Sequence, residues 1–434
     1  MKMGTLLITN GTLIDPKNKK NGKWDLLIEN GVVKDILKSG SVGAGLKPAH
    51  KNFQVIDAKG LVVAPGFVDL HTHLREPGFE YKETIETGTA SAAAGGFTSV
   101  CCMANTNPVN DQASITQYIL KQAKEKGLVN VFPIGAVTKG LEGKELSLMG
   151  ELKKAGCVAV SDDGKTVRNA QLMRLAMEYA RSFDLPVITH AIDPDLAERG
   201  VMSEGSMSTS LGLRGIPNEA EDIIIARDIY LAQLTGARLH VAHVATREGV
   251  ELVAKAKKKG LSITCEVTPH HFTLTDDAVS GYDTNTKMAP PLRSEEDRRA
   301  LIEGLRDGTI DAIATDHAPH ALIDKEVEYD CACFGIVGLE TALALSLKLV
   351  ESKKLKIEDV ISLLTWKAAS IVGLRKGDLA VGADADVVIF DPNQAWTVQA
   401  SAFQSKSKNS PFDGMKVKGR VKTTIVSGKI VYTM

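Results

Sequence analysis

The sequence predicts an α/β protein in which a TIM (β/α)8 barrel carries a small β-sandwich domain built from both ends of the chain. Three observations support this fold. The chain has 434 residues, which is enough for a large barrel and a second domain. Both ends are rich in β-type runs, and the middle alternates short apolar runs with helical patterns. We therefore predict a β-sandwich domain from 1–64 and 376–434, and a barrel from 65–375.

The two ends of the chain share one style of sequence. "TLLITNGTLIDP" and "DLLIENGVVKDI" each predict a strand, an Asn-Gly turn and a second strand. "ADVVIFDP" and "VKTTIVSGKIVY" repeat that style near the C-terminus. The stretch "KSGSVGAGLKPAHKN" (38–52) predicts a surface loop that contains His50.

The middle of the chain contains eight short apolar runs with helical patterns such as "NEAEDIIIARDIYLAQLTG" between them. The runs are "GFVDLHT" (66–72), "FTSVCCM" (97–103), "NVFPIGA" (130–136), "CVAVS" (157–161), "PVITH" (186–190), "ARLHVAH" (237–243), "LSITCEV" (261–267) and "DAIAT" (311–315). Eight β-then-α units are typical of a TIM barrel. An open doubly wound sheet has the same periodicity and is the alternative.

The overall composition excludes several classes of protein. Apolar residues make up 44%, charged residues 24%, and the net charge is -1, so we expect no nucleic-acid partner. The apolar stretch in "MKMGTLLITNG" is too short for a signal peptide, and no run approaches the ~20 residues of a membrane span. Six scattered cysteines without a CxxC pair predict free thiols and a cytoplasmic location.

Histidines and aspartates recur where the predicted barrel strands end. His71 and His73 share one face of the first strand, although a lone His-x-His often only satisfies hydrogen bonds in a core. Barrel enzymes carry their chemistry at the C-terminal ends of the strands. The other candidates at these ends are Asp162, Asp163, His190, His243 and Asp316. Imidazoles and carboxylates in this number predict two divalent metals that share a bridging carboxylate.

The remaining histidines have weaker interpretations. His240 comes three residues before His243 and therefore points to the other face of the strand, where we expect a structural role. His270 and His271 end the seventh run, and either direct contact or support of the site fits them. His317 follows Asp316 and is placed to orient it.

Five motifs resemble the type I dihydroorotase family of the amidohydrolase superfamily. They are "DLHTHLREPG", "SDDG", "TH" at 189–190, "AH" at 242–243 and "ATDHAPH". "ANTNP", "KMAPPLR" and "FGIVGLET" extend the resemblance over nearly the whole chain. It implies a metal-dependent cyclic amidohydrolase that interconverts N-carbamoyl-L-aspartate and dihydroorotate in de novo pyrimidine (UMP) biosynthesis, with one or two Zn²⁺ ions per subunit.

The resemblance also implies a role for each metal ligand. His71, His73 and Asp316 would hold the first metal, His190 and His243 the second, and Asp163 would bridge the two. Asp162 would shape the turn, and Asp316 would be the catalytic base. Hydantoinases have a carboxylated lysine at the bridge, but Lys165 lies two residues past that position, so Asp163 fits better.

The implied substrate contacts are His73, Arg75, Asn105, His320 and the backbone of Phe334 and Gly335. Arg75 offers a planar fork that can bind a carboxylate through two hydrogen bonds, and a surface salt bridge is its alternative role. The family often has an asparagine at the position of Ala289, so here only the backbone can make that contact.

Two other functions compete with dihydroorotase activity. A hydantoinase or allantoinase acts on rings that lack the carboxylate, which would leave Arg75 without a purpose. A non-catalytic, dihydroorotase-like scaffold of aspartate transcarbamoylase should have lost ligands, whereas all six are present here. Association with aspartate transcarbamoylase and formation of a homo-oligomer both remain open at the level of the sequence.

Overall fold

The computed structural model describes residues 4–39 and 53–434. Most of the predicted loop 38–52, including His50, lies outside these residues. The described chain forms two large sheets, one with eight strands and one with nine. Among the described residues, the structure has no helix that is both long enough and apolar enough to cross a membrane.

The eight-stranded sheet contains one strand from each predicted apolar run, in chain order. The strands are Phe67–Thr72, Phe97–Cys102, Asn130–Gly135, Ala159–Ser161, Val187–Thr189, Leu239–Val241, Ile263–Val267 and Ala312–Ile313. All neighbouring pairs are parallel. Thr72 and His317 form a parallel bridge that brings the first and last strands together. The TIM barrel is therefore confirmed, and the open doubly wound sheet is wrong, because the strand order never reverses.

Helices lie between the barrel strands along the chain and also follow the last of them. The longer ones are Ile85–Gly95, Ala113–Lys126, Ala170–Arg181, Glu219–Thr235, Arg247–Lys258, Glu295–Asp307, Ala342–Glu351 and Ile357–Leu364. The shorter ones are Met149–Ala155, Pro194–Ala197, Ser206–Leu211, Pro269–Thr273, Leu322–Lys325 and Trp366–Ile371. Ala170–Arg181 shows why these segments are helical. Asn169 caps its first turn by accepting from the Leu172 N–H, and an apolar stripe that includes Met173 and Met177 faces the barrel.

The nine-stranded sheet joins the two ends of the chain. Its strands are Thr5–Thr9, Thr12–Asp15, Lys20–Glu29, Val32–Lys38, Phe53–Asp57, Val62–Pro65, Val387–Thr397, Lys416–Val426 and Lys429–Thr433. Val387–Thr397 pairs with Val62–Pro65, so the last part of the chain returns to the first. This sheet has its own apolar core, which includes Leu26, Val63 and Ile389.

Both predicted Asn-Gly turns lie between two strands, but the strands pair with each other at only one of them. Asn30 and Gly31 close a hairpin between Lys20–Glu29 and Val32–Lys38, and Gly31 has a φ of 85°. Asn10 and Gly11 also lie between two strands, as predicted, but these strands pair with Lys20–Glu29 and not with each other. The ten-residue strand Lys20–Glu29 is long enough to accept both partners.

Candidate active site

The predicted ligands meet at one end of the barrel because each one ends or follows a strand. His71 ends the first strand with its ring fully buried, and Asp163, His190 and His243 are also buried. His243, Asp316 and Arg75 have positive φ values of 33°, 47° and 61°. Non-glycine residues seldom adopt this conformation, and such strain concentrates at functional sites.

Asp163 lies at the centre of these residues. Its Oδ1 is 3.2 Å from His71 Nε2, 3.4 Å from His190 Nδ1 and 3.8 Å from His243 Nε2. Its Oδ2 is 3.5 Å from His73 Nε2. Asp163 therefore belongs to two groups with metal-ligand spacing, one with His71 and His73 and one with His190 and His243. A carboxylate shared by two histidine pairs has the arrangement of a bridging ligand.

Asp316 completes the first of these groups. Its Oδ1 lies 3.1 Å from His73 Nε2 and 3.4 Å from His71 Nε2. We call the six predicted ligand side chains the His/Asp cluster: His71, His73, Asp163, His190, His243 and Asp316.

The His/Asp cluster fits divalent metal ions. His71 Nε2 and Asp163 Oδ1 are buried and have no hydrogen-bond partner among the described residues, so both have lone pairs available for a metal. Burial disfavours charge on His71, but Asp163 and Asp316 outweigh it and raise the pKa of His71 well above its usual value. The cluster therefore attracts positive charge strongly, and its nitrogen and oxygen donors suit zinc and similar ions.

Asp162 is used differently from Asp163. Its Oδ1 accepts from the backbone N–H groups of Val137 (2.7 Å) and Thr138 (3.0 Å), and its Oδ2 accepts from the Thr138 hydroxyl. Burial raises the pKa of Asp162 to about 6 despite these hydrogen bonds. Asp162 thus holds the turn after the third strand, and Lys165 is exposed on the rim.

Two further residues fix the orientation of the histidine rings. His71 Nδ1 donates to Glu266 Oε1 at 3.0 Å, and His73 Nδ1 donates to Asn105 Oδ1 at 2.9 Å. In the neutral form, each ring then has its Nε2 lone pair directed toward Asp163 and Asp316, where a metal would bind. Asn105, predicted as a substrate contact, supports His73 in this structure and donates to Asp163 Oδ2 at 3.4 Å.

Sequence reasoning missed Glu266, although a signal was present. A glutamate inside the apolar run "LSITCEV" is unusual and indicates a buried partner. His240 Nε2 lies 3.1 Å from the second oxygen of Glu266, so His240 supports the site through this carboxylate. Burial opposes ionisation of Glu266, but His240 and His71 outweigh it and lower the pKa of Glu266 to about 2.

The other predicted histidines lie around the cluster. His271 contacts the Thr268 hydroxyl and the Pro290 carbonyl, and burial lowers the pKa of its neighbour His270 to about 4. His317 Nε2 lies 3.5 Å from the buried Glu83. These contacts place His271 and His317 as support for the loops that follow the seventh and eighth strands.

A basic cluster lies beside the His/Asp cluster and consists of Arg75, Lys82, His320 and Lys325. Arg75 is partly buried, donates from Nε to the Pro319 carbonyl at 3.2 Å and has Nη2 3.4 Å from His320 Nε2. The described contacts of the Arg75 guanidinium are with the Pro319 carbonyl and His320 and include no ion pair, so the surface salt bridge does not occur within the described chain. The guanidinium fork has no direct carboxylate partner among the described residues, and the strongest charge contributions at it come from Asp316 and Asp163 of the His/Asp cluster. A fork free to form two hydrogen bonds favours an anionic ligand.

His320 is kept neutral in this cluster. Burial, Arg75 and Lys82 lower the pKa of His320 to about 2. Lys82 Nζ donates to His320 Nδ1 at 3.2 Å, and His320 Nε2 donates to the Phe334 carbonyl at 2.8 Å. The proton of His320 is therefore fixed on Nε2.

The remaining predicted contacts lie at the mouth of the site. His190, Ala289 and Phe334 line one cleft of about 450 Å³. Lys325 Nζ donates to the Gly335 carbonyl at 3.0 Å. His320, Asp324 and Cys333 also have metal-ligand spacing. Lys82 Nζ lies 3.2 Å from Asp324, however, so an ammonium group already neutralises this carboxylate.

Two family models match the chain. A model described as "Dihydro-orotase-like" matches residues 60–249, and one described as "Amidohydrolase family" matches residues 235–432. Among solved structures, the chain is similar to the L-hydantoinase (dihydropyrimidinase) of Arthrobacter aurescens. The TM-score is 0.88 at 28% identity, over 100% of this chain and 96% of that one. The dihydropyrimidinase of Brevibacillus agri has a TM-score of 0.85 at 24% identity, over 99% of this chain and 95% of that one. At this identity the similarity supports the fold alone.

Curated relatives give a closer match than these structures. The dihydroorotase of Citrifermentans bemidjiense is 55% identical over 98% of this chain and 99% of its own length. The dihydroorotases of Geotalea daltonii and Syntrophus aciditrophicus are 53% and 51% identical over the same shares. Since this similarity extends along nearly the whole of both chains and includes every strand that ends at the site, the chain belongs to the dihydroorotase family of the amidohydrolase superfamily.

Proposed function

We propose that this protein is a zinc-dependent dihydroorotase that interconverts N-carbamoyl-L-aspartate and dihydroorotate. The position of Asp163, between two pairs of histidines and next to a basic cluster, is the observation that carries the proposal. The His/Asp cluster can support opening of a cyclic amide. Arg75 can bind a carboxylate attached to the same ring. A ring with a carboxylate uses both clusters at once.

The His/Asp cluster supplies the hydrolytic part of the reaction. His71, His73 and Asp316 would hold the first metal, His190 and His243 the second, and Asp163 both. A bound divalent metal polarises a carbonyl group and lowers the pKa of water to about 7. Burial opposes ionisation of Asp316, but His71 and His73 outweigh it and lower its pKa below the usual value. Asp316 is therefore ionised at neutral pH, as a general base must be.

The basic cluster supplies recognition of the substrate. Arg75 would bind the ring carboxylate through its guanidinium fork, and His320, 3.4 Å from that fork, would contact the substrate beside it. Asn105, the Ala289 backbone and the backbone of Phe334 and Gly335 would complete the contacts to the ring. His73 would face both the metal and the substrate.

The main alternatives are less well supported. The hydantoinase similarity is 28%, against 51–55% for relatives named dihydroorotase, and hydantoin has no carboxylate for Arg75. A non-catalytic scaffold would not need the six side chains of the His/Asp cluster to be kept within a few ångströms of one another.

Turnover of three cyclic amides, of which only one has a ring carboxylate, tests this proposal. Initial rates with dihydroorotate, hydantoin and allantoin should show a strong preference for dihydroorotate, because it alone among the three has a ring carboxylate for Arg75. Faster turnover of hydantoin or allantoin would assign the protein to the other activity. Absence of turnover on all three, in protein with a full metal content, would favour the scaffold.

Broader features of the protein follow as proposals. We assign the reaction to de novo pyrimidine biosynthesis, and we assign residues 1–64 and 376–434 to a β-sandwich domain and 65–375 to the catalytic barrel. The cytoplasmic location stays a prediction that depends on the cysteine content. Association with aspartate transcarbamoylase and assembly into a homo-oligomer stay predictions as well.

A further inference from the structure

We propose that Asn409 is a positioning residue that sets the geometry of the basic cluster and thereby the selectivity for a ring carboxylate. Asn409 belongs to a segment that we call the C-terminal strap, residues 405–409. This inference rests on the proposed function, since it concerns how the same site reads its substrate.

Asn409 joins the two loops that face the substrate. Its Oδ1 accepts from the His320 N–H at 3.1 Å, and its Nδ2 donates to the carbonyls of Ala318 and Gly335, both at 3.1 Å. Its own carbonyl accepts from the Val337 N–H at 3.0 Å. The side chain is buried, with 6% of its surface exposed, so these hydrogen bonds are shielded from water.

The strap holds a third loop, which carries Lys82. Ser407 Oγ donates to the Lys82 carbonyl at 2.6 Å, and Lys406 Nζ donates to the Glu80 carbonyl at 2.7 Å. Ser405 Oγ donates to the buried carboxylate of Glu83. Lys82, His320 and the Phe334–Gly335 backbone are therefore all attached to one short segment.

These hydrogen bonds fix the positions of side chains in the basic cluster, which is the part of the site proposed to bind the substrate carboxylate. The His320 side chain donates to the Phe334 carbonyl, and Asn409 joins the same two loops through the His320 N–H and the Gly335 carbonyl. If the loops separate, His320 moves relative to both Lys82 and Arg75. The described partners of Asn409 are residues 318, 320, 335 and 337, and none of these is a predicted metal ligand. Loss of Asn409 should therefore weaken carboxylate recognition and leave metal binding intact.

Two substitutions test the role of the amide. Asn409→Asp keeps the shape but directs an anionic oxygen at two carbonyl oxygens, whereas Asn409→Ala removes the three side-chain hydrogen bonds without adding charge. Asn130→Ala is the matched control. Asn130 donates from Nδ2 to the Thr98 carbonyl at 2.8 Å and to Asp386 at 3.1 Å, and so joins the barrel to the C-terminal part of the chain at the opposite end of the strands.

The measurement is binding of orotate and of uracil, which are the same ring with and without a carboxylate, by calorimetry on metal-loaded protein. We expect the wild type to bind orotate more tightly than uracil. The ratio of the two dissociation constants should fall about tenfold in both Asn409 variants and stay unchanged in Asn130→Ala. The KM for dihydroorotate should rise more than kcat falls, and metal content should be unchanged.

Three results would overturn the inference. Folded Asn409 variants that keep the orotate preference would show that the strap does not set it. Equal losses of orotate and uracil binding would indicate a general structural role. If Asn409→Asp does not fold, Asn409→Ala decides between these results. A wild type without preference for orotate would overturn the proposed function itself, and this inference with it.

Discussion

The His/Asp cluster and the basic cluster are neighbours, but they are built in different ways. The His/Asp cluster comes from residues that end or directly follow barrel strands, such as His71 and His190. The basic cluster comes from loops and, for Lys325, from the end of a four-residue helix, and the strap reaches it from near the C-terminus. The comparison shows that the barrel alone fixes the ligand cluster, whereas the position of the recognition residues depends on distant parts of the chain.

The two clusters also differ in the charge that they require. Asp163, Asp316 and Glu266 make the His/Asp cluster a site for cations, and Asp163 and Asp316 overcome the effect of burial and raise the pKa of His71. In the basic cluster, burial together with Arg75, Lys82 and Lys325 lowers the pKa of His320 and holds it neutral. A substrate that lies across both clusters should therefore present a polar carbonyl to one and an anion to the other.

Removal of metal should have the largest effect, because it disables the His/Asp cluster and leaves the basic cluster intact. We expect a strong chelator to abolish turnover, and added zinc to restore it without any need for bicarbonate. Metal analysis alongside the rate measurements checks this result. Full activity in demonstrably metal-free protein would contradict it.

Asp316→Asn should have the second-largest effect on turnover, because it preserves the shape of the side chain but removes the proton acceptor. Turnover should fall by about 10²–10⁴-fold, the usual contribution of a general acid–base group, while metal remains bound. The fold should be little affected, which circular dichroism can verify. If the variant keeps more than about a third of wild-type turnover with metal bound, Asp316 is not the base.

The adjacent aspartates give a matched pair within the His/Asp cluster. Asp163→Ala should lose the second metal before the first, because Asp163 lies between both histidine pairs. Asp162→Ala should keep its metal content but lower the melting temperature, because the N–H groups of Val137 and Thr138 lose their acceptor. Metal content and thermal unfolding measured on both variants decide which carboxylate is the ligand. A carboxylated Lys165 found in the intact mass would overturn the assignment of Asp163.

Arg75→Lys should have the smallest effect on chemistry and the clearest effect on selectivity. Lysine keeps the charge but loses the fork, so kcat/KM for dihydroorotate should fall by about tenfold or more. Turnover of a neutral cyclic imide should change much less. Equal losses on both substrates would mean that Arg75 supports the site in general and does not read the carboxylate.

The same contrast explains how much could be predicted from the sequence. Short apolar runs separated by helical patterns predicted all eight barrel strands, and polar residues at their ends predicted that the His/Asp cluster would form. The strand pairing around Asn10 and Gly11 had no local signal, because both strands that this turn joins pair with a third strand further along the chain. The contacts of Asn409 left no local signal, since they join positions about ninety residues apart in the chain.

One crystal tests the central claim that the two clusters act on a single substrate. Crystals soaked with dihydroorotate, with anomalous data collected at the zinc edge, should show a peak among His71, His73 and Asp316, with the ring carboxylate within hydrogen-bonding distance of Arg75. A second peak beside His190 and His243 would establish Asp163 as the bridge. A site without anomalous signal, or a ring with its carboxylate directed away from Arg75, would contradict the account.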